Sequence, residues 1–398
     1  MPGPSTSRRH FLKLTSLTLA GLPLGLSGCV SALTGRGRPD LLVYVGTYAK
    51  EGADSIFLYR LNPKTGALTR LRAEKGGPNP TFLTLDTKRQ RLYAANEVDE
   101  FQSAKSGYVS AFAIDRRTGG LTLLNQQLSG GGGPCYVSLA GRNQAALVAN
   151  YGGGSVSLLP IAADGTLQPP AATAQHRGSG PVKNRQSEAH AHCILPDPAN
   201  RFAFAVDLGT DQVLGYELAA NAGPWTPLPA PAFTTQPGAG PRHLTFHPNG
   251  RWAFLVNELA CSVTALTYDA TAGTFRDLHT VPTLPANFTA PNTCADIHVH
   301  PNGRFVYASN RGHDSLAVFA VAADTGRLTL VEHVSTQGKT PRNFAIDPSG
   351  AILLVANQNS NNIVTYTINA QTGQLTPTGV VVEVPAPVCL QVIPDFLA

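Results

Sequence analysis

The chain has 398 residues, a length that would ordinarily suggest two or three domains, yet only 14% of it is charged. Its 39 glycines and 31 prolines fit a turn-dense all-β protein. The net charge of +5 is spread along the chain and counts the N-terminal segment, with no Lys/Arg run in the body, so a nucleic-acid partner is not expected.

In chain order, the first feature is a targeting segment. Ser7-Arg8-Arg9-His10-Phe11-Leu12-Lys13 resembles the twin-arginine export consensus. The apolar stretch 14–26 that follows is too short, and too broken by Gly and Pro, to cross a membrane. It runs into Leu26-Ser27-Gly28-Cys29, which resembles the lipobox of bacterial lipoproteins, with Cys29 as the lipidated residue. Residues 1–28 therefore read as an export signal, 29–40 as a tether and 41–398 as the folded domain. The expected product is an exported periplasmic or cell-envelope lipoprotein, touching the membrane only through its lipid. The twin-arginine route carries folded proteins, which suits a domain completed by its last residues.

From residue 80 onward one interval keeps returning. It runs from Pro80 to Asn96, Pro134 to Asn150, Ala191 to Asp207, Pro241 to Asn257, Cys294 to Asn310 and Pro341 to Asn357, and Pro387 opens a seventh copy without a close. The starts are 54, 57, 50, 53, 47 and 46 residues apart. Each interval holds two apolar runs around a turn such as His247-Pro248-Asn249-Gly250 or Asp347-Pro348-Ser349-Gly350. A third strand follows, as in Val109–Ile114, then a Thr-Gly or Asp-Gly turn, then a fourth strand. Four antiparallel strands per period near 50 residues predict a seven-bladed β-propeller. The chain starts on second, third and fourth strands (42–45, 56–61, 68–71) and stops after 388–393, so the last strand should complete the first blade and close the ring.

Superposing the copies selects two positions. The residue after each opening is Thr81, Cys135, His192, Arg242, Ala295, Arg342 or Val388. The residue after each close is Glu97, Tyr151, Leu208, Glu258, Arg311 or Gln358. Equivalent positions share one depth around the axis, so these should form a ring of His, Arg and Glu at one mouth of the channel. Guanidiniums match carboxylates or phosphates, so an anionic small substrate is expected, with a His or Glu as acid or base. Glu258–Arg242 and Glu97–Arg311 ion pairs between blades are the bland alternative. His190 and His192 lie on one strand face, and either could be the acid/base; His243 is a wall or substrate-contacting group. His247 and His300 sit at turn positions, and the alternation Asp296, His298, His300 is a poor metal site, so no metal or cofactor is expected. Cys135, Cys193, Cys261, Cys294 and Cys389 are odd in number and mostly near openings; they read as small buried groups, with a disulfide or reactive thiol as the alternative.

Several linked segments carry a family likeness. Gly240-Pro241-Arg242-His243, Val256-Asn257-Glu258-Leu259, Ser309-Asn310-Arg311-Gly312, Pro341-Arg342-Asn343-Phe344, Asn79-Pro80-Thr81-Phe82 and Asn150-Tyr151-Gly152-Gly153-Gly154 resemble the seven-bladed propeller lactonases over about residues 41–393. That family includes bacterial 6-phosphogluconolactonases and a muconate lactonizing enzyme. The resemblance implies a lactone-opening hydrolase, or alternatively a cycloisomerase or a non-catalytic binding propeller. A monomer acting on a small anionic lactone is expected. The implied catalytic set is His190 or His192, Arg242, Glu258 and Arg311, with Arg342, Glu97 and His243 as substrate contacts. Glu258 or the His would take the proton from water, and Arg242 and Arg311 would stabilise the oxyanion.

Overall fold

The computed structural model describes residues 39–88, 90–220 and 223–397. The export signal, Cys29 and the tether as far as residue 38 lie outside the described residues. The remaining chain forms 29 strands in seven separate antiparallel sheets, with no helix among the described residues. Each sheet is one blade, and the first strands of successive blades lie against one another around the axis.

Blade 1 is assembled from both ends of the domain. Its strands run Pro387–Pro394, Leu41–Thr47, Ile56–Leu61 and Leu68–Glu74, from the axis outward. Leu41 pairs with Pro394, Val45 with Leu390 and Thr47 with Pro387, so the ring closes as the sequence predicts. Thr47 thereby supplies the missing close of the seventh interval.

Burial falls off outward along each blade. Second strands such as Ala145–Asn150 and Ile352–Asn357 are buried at every position, whereas fourth strands such as Leu375–Glu383 alternate with solvent. The core is correspondingly divided into clusters between neighbouring sheets. Between blades 4 and 5, for example, Phe204 and Val206 pack on Leu255, Leu266 and Tyr268. Blade 4 departs from four full strands. Its outer strand is reduced to Thr226–Pro227 and Phe233–Thr234, because Pro224, Pro227, Pro229 and Pro231 remove the amides that a ladder needs.

The recurring Asn has a structural reason. Asn96 Nδ2 donates to the Gly76 and Pro78 carbonyls at 2.9 and 2.8 Å, and its Oδ1 accepts from Ser110. Asn310 and Asn357 likewise reach the Thr283 and Thr336 carbonyls, both at 2.9 Å. Each thus satisfies a backbone group between two blades that water cannot reach. In blade 4 the residue is Asp207, and the donor is His176 Nδ1 at 2.6 Å.

The register of the inner hairpins contains a second regularity. Pro80 pairs with Asn96 but Phe82 pairs with Ala95, so Thr81 has no opposite number. The same bulge isolates Cys135, His192, Arg242 and Arg342. It isolates Val388 in the closing sheet, and in blade 6 it sets Ala295 and Asp296 against Ser309 alone. A bulge re-aims the extra residue. The position after each opening is therefore the bulged one in all seven blades. Replacing Asn96 with Ala should cost about 1–3 kcal/mol by stranding two buried carbonyls. The guanidinium midpoint of unfolding should fall with an unchanged slope.

Candidate functional site

Bulged residues and the residues that follow the closes meet at one mouth of the channel. A cavity of about 260 Å³ is lined by Tyr48, Glu97, Cys135, Tyr151, Arg185, His192, Glu258, Arg311 and Arg342. Below it a waist of about 10 Å³ is bounded by residues including Thr81, Arg242, His243, Asn343 and Val388. The waist leads to a lower cavity of about 220 Å³ that shares Phe82, His243 and Asn343 with it.

Glu258 is the centre of the upper cavity. Its carboxylate meets Arg185 Nη2 at 2.5 Å, Arg311 Nη2 at 2.7 Å and Arg242 Nε at 3.2 Å. Burial alone would raise its carboxyl, but the three guanidiniums, Arg311 foremost, outweigh this and bring it down to about 2. Arg242 is itself buried, and burial with Arg311 and Arg342 nearby lowers it to about 10, still a cation at neutral pH. Its Nη1 donates to the Ala295 carbonyl at 2.7 Å, and Arg311 Nη2 to the Cys294 carbonyl at 2.7 Å.

The second carboxylate is held differently. Glu97 accepts from Tyr48 Oη at 2.9 and 3.0 Å and from Thr81 Oγ1 at 2.6 Å. Burial keeps the Tyr48 phenol protonated and therefore a donor. Of the two ion pairs weighed from the sequence, Glu258–Arg242 forms. Glu97 instead takes neutral donors, and no Glu97–Arg311 pair is present among the described residues. Arg342 stacks over the Tyr48 ring at 5.4 Å. Among the described residues no carboxylate lies within salt-bridge distance of it. Four guanidiniums thus face two carboxylates, leaving the site two charges positive.

The histidines separate. His192 lines the cavity, with Nδ1 3.6 Å from Cys135 Sγ. Burial, then Arg242, His243 and Arg342, push it well below the usual histidine range, so it is neutral at pH 7. His190 stacks behind Tyr151 at 4.5 Å, and its Nδ1 meets the Tyr151 carbonyl at 3.0 Å. His243 lies at the waist, bonded to Asp296 at 2.8 Å, and Asp296 also holds His298 at 2.9 Å and Asn343 at 2.6 Å. His247 and His300 are turn residues: each Nδ1 accepts a backbone amide, and each Nε2 donates to the next blade, at the Gly303 and Gly350 carbonyls. Among the described residues no group of His, Cys, Asp and Glu is arranged to hold a metal.

Two cavity residues escape the repeat. Tyr48 follows Thr47, the close of the seventh interval, so it occupies the same position as Glu97 once the termini are joined. Arg185 comes from the long connection between Ala172–Gln175 and Ala191–Pro196, outside the periodic framework. That connection is pinned by Gln186, whose Nε2 donates to the Leu208 carbonyl and Asp211 Oδ1 at 2.8 and 2.7 Å. Only the unusual length of this loop could have drawn attention to it.

A family model described as "Lactonase, 7-bladed beta-propeller" matches residues 42–392. The chain belongs to this lactonase family. The lactonase is 42% identical over 303 residues to the 6-phosphogluconolactonase of Bacillus subtilis, covering 76% of this chain and 83% of that protein. It is 35% identical over 314 residues to the 6-phosphogluconolactonase of Formosa agariphila, covering 76% and 86%. Among solved structures, the periplasmic gluconolactonase of Pseudomonas aeruginosa superposes with a TM-score of 0.83 at 33% identity, covering 89% of this chain and 99% of that one.

The Glu258 cluster contributes a pH-dependent part of the stability of this lactonase. Because its folded carboxyl is depressed from 4.5 to about 2, its stabilisation is complete above 4.5 and is lost as pH falls toward 2. Glu258→Gln should be less stable than the parent at pH 7, and the gap should narrow on acidification across that window. Circular dichroism melts at several pH values measure it.

Proposed function

We propose that the upper cavity opens a sugar lactone bearing an anionic group, with His192 as acid/base and the guanidiniums as anion and oxyanion binders. The observation that carries this is the positive excess of the site, centred on Arg342, which among the described residues has no carboxylate within salt-bridge distance. A phosphate or carboxylate on the substrate would restore neutrality there, and the guanidinium fork suits either.

His192 is the base the geometry favours. The Cys135 thiol, raised by burial and Glu97, stays protonated and can donate to the His192 carbonyl at 3.5 Å. Nδ1–H then points to the sulfur, and Nε2 keeps its lone pair. Water that loses a proton to Nε2 attacks the lactone carbonyl, the ring C–O bond breaks, and the imidazolium returns the proton to the departing ring oxygen. Arg311 and Arg342 supply positive charge for the tetrahedral oxyanion.

Glu258 takes a different part from the base that the sequence suggested. A carboxylate depressed to about 2 and held by three guanidiniums has little appetite for a proton. Its part is to hold like charges together in a fixed array before substrate arrives. Arg242, buried against Glu258 and Ala295, supports that array from beneath.

The reading extends to substrate and location. Two relatives are named as 6-phosphogluconolactonases, whereas the Pseudomonas structure is named as a periplasmic gluconolactonase. With an export leader, the substrate here would be an aldonolactone or its phosphate available outside the cytoplasm, and the protein a monomeric envelope lipoprotein anchored through Cys29.

Purified protein assayed on 6-phosphogluconolactone and gluconolactone by pH-stat tests these roles. His192→Ala should lower kcat about 10²–10⁴-fold with little change in KM; parental turnover in this variant would remove His192 from the mechanism. Arg342→Ala should weaken binding of the phosphorylated lactone by roughly 1.5–3 kcal/mol and leave KM for the neutral one nearly unchanged, with the loss of oxyanion charge falling on kcat for both. Since His192 titrates well below its ordinary 6.5, kcat/KM should stay flat as pH falls through that value.

A further inference from the structure

The seam between blades 5 and 6 breaks the repeat twice. Where the other openings are Pro or Ala, blade 6 has Cys294. Four residues past each of the last five complete closes stands a left-handed turn residue: Gly154, Asp211, Cys261, Asp314 and Asn361, with φ of 58°, 59°, 47°, 52° and 54°. Gly, Asp and Asn tolerate that conformation; a cysteine there is out of pattern.

In neighbouring blades this residue clamps the following loop. Asp211 accepts from the Gly238 and Gly240 amides, Asp314 from the Thr340 amide and Asn361 from the Ala386 amide. Cys261 does the same work with sulfur: Asn292 Nδ2 donates to its Sγ at 3.3 Å, and its thiol faces the Asn292 carbonyl at 3.4 Å. The same Asn292 Nδ2 reaches Asn310 Oδ1 at 3.3 Å, to which Cys294 Sγ donates at 3.4 Å. Thr283 Oγ1 joins them from the other side, 2.9 Å from the Cys261 carbonyl and 3.1 Å from Cys294 Sγ. The two thiols thus lie in one shell of Asn292, Asn310 and Thr283.

We propose that Cys261 and Cys294 are a redox modification site, converted to a disulfide by a low-molecular-weight or protein disulfide, that reports on and resets the Glu258–Arg311 pair. Cys261 is the entry point, being partly exposed while the other four described cysteines are buried. Its thiol is lowered to about 6 by the neighbouring Cys294 and then, against its burial, by Asn292, a shift that favours the thiolate. That thiolate attacks the oxidant's S–S bond, forming a mixed disulfide and releasing one thiol. Cys294, giving up its proton, attacks the Cys261 sulfur and releases the second. The two protein thiols lose two electrons and the oxidant becomes two thiols.

Closure reaches the site through backbone. The Cys294 amide donates to the Glu258 carbonyl at 3.0 Å, and Arg311 Nη2 donates to the Cys294 carbonyl. Drawing the sulfurs to about 2.05 Å moves both anchor points. An exported protein would meet the oxidants that make such a bond persist.

The test incubates the purified full chain across a reduced-to-oxidised glutathione series and reads intact mass and cysteine-linked peptides. The expected result is loss of two hydrogens with a cross-link joining residues 261 and 294, reversed by dithiothreitol and absent in Cys261→Ser. No cross-link, stable glutathione on Cys261, or a bond through Cys135, Cys193 or Cys389 overturns the site. Lactone hydrolysis, measured on the same samples, should fall toward ~10²-fold on oxidation and recover on reduction. Unchanged hydrolysis in the cross-linked protein overturns the link to Glu258–Arg311. That second readout rests on the lactonase reading of the cavity, whereas the mass readout stands without it.

Discussion

One extra residue on the inner strand of every blade decides which side chains reach the axis. A regular antiparallel hairpin would alternate these residues between two intersheet cores. The bulge instead releases Thr81, Cys135, His192, Arg242, Arg342 and Val388 from pairing and turns them toward the channel. In blades 2, 3, 4, 6 and 7 the buried Asn or Asp opposite the opening pins the hairpin to the connection from the preceding blade, so the bulge is held between fixed ends. A strand, or the residue immediately after one, thereby positions eight of the nine cavity-lining residues.

Such an arrangement concentrates charge where water is scarce. Three guanidiniums around one buried carboxylate are tolerable only because Glu258 is ionised and its contacts are complete. Stability and reactivity are coupled here: the same attraction that keeps Arg185, Arg242 and Arg311 together leaves Arg342 unneutralised beside them. A neutral His192 in that field keeps its lone pair at pH values where an exposed imidazole would be half protonated.

Much of this was legible in the sequence because the propeller repeats it. The period gave blade count and closure, and the two positions flanking each interval held seven of the nine residues that line the cavity. His247 and His300 were recognisable as turn residues from their place in the period. The rest was hidden for definite reasons. Tyr48 obeys the same rule but belongs to an interval whose ends are separated by nearly the whole chain. Arg185 arrives on a connection that no period describes. The proton affinity of Glu258 depends on how many guanidiniums converge, which spacing along a strand does not reveal. His190 and His192 share a strand face in sequence, yet the bulge separates them, one into the cavity and the other behind Tyr151.

Joining the termini in blade 1 has a consequence for how the protein comes into being. Tyr48 reaches Glu97 only from a strand whose inner edge is covered by Pro387–Pro394. The cavity wall on that side is therefore complete only with Pro387–Pro394 docked on Leu41–Thr47. A truncated or prematurely handled chain could build six blades and still present an incomplete mouth. A complete mouth in this propeller is thus a property of the closed circle and not of any single blade.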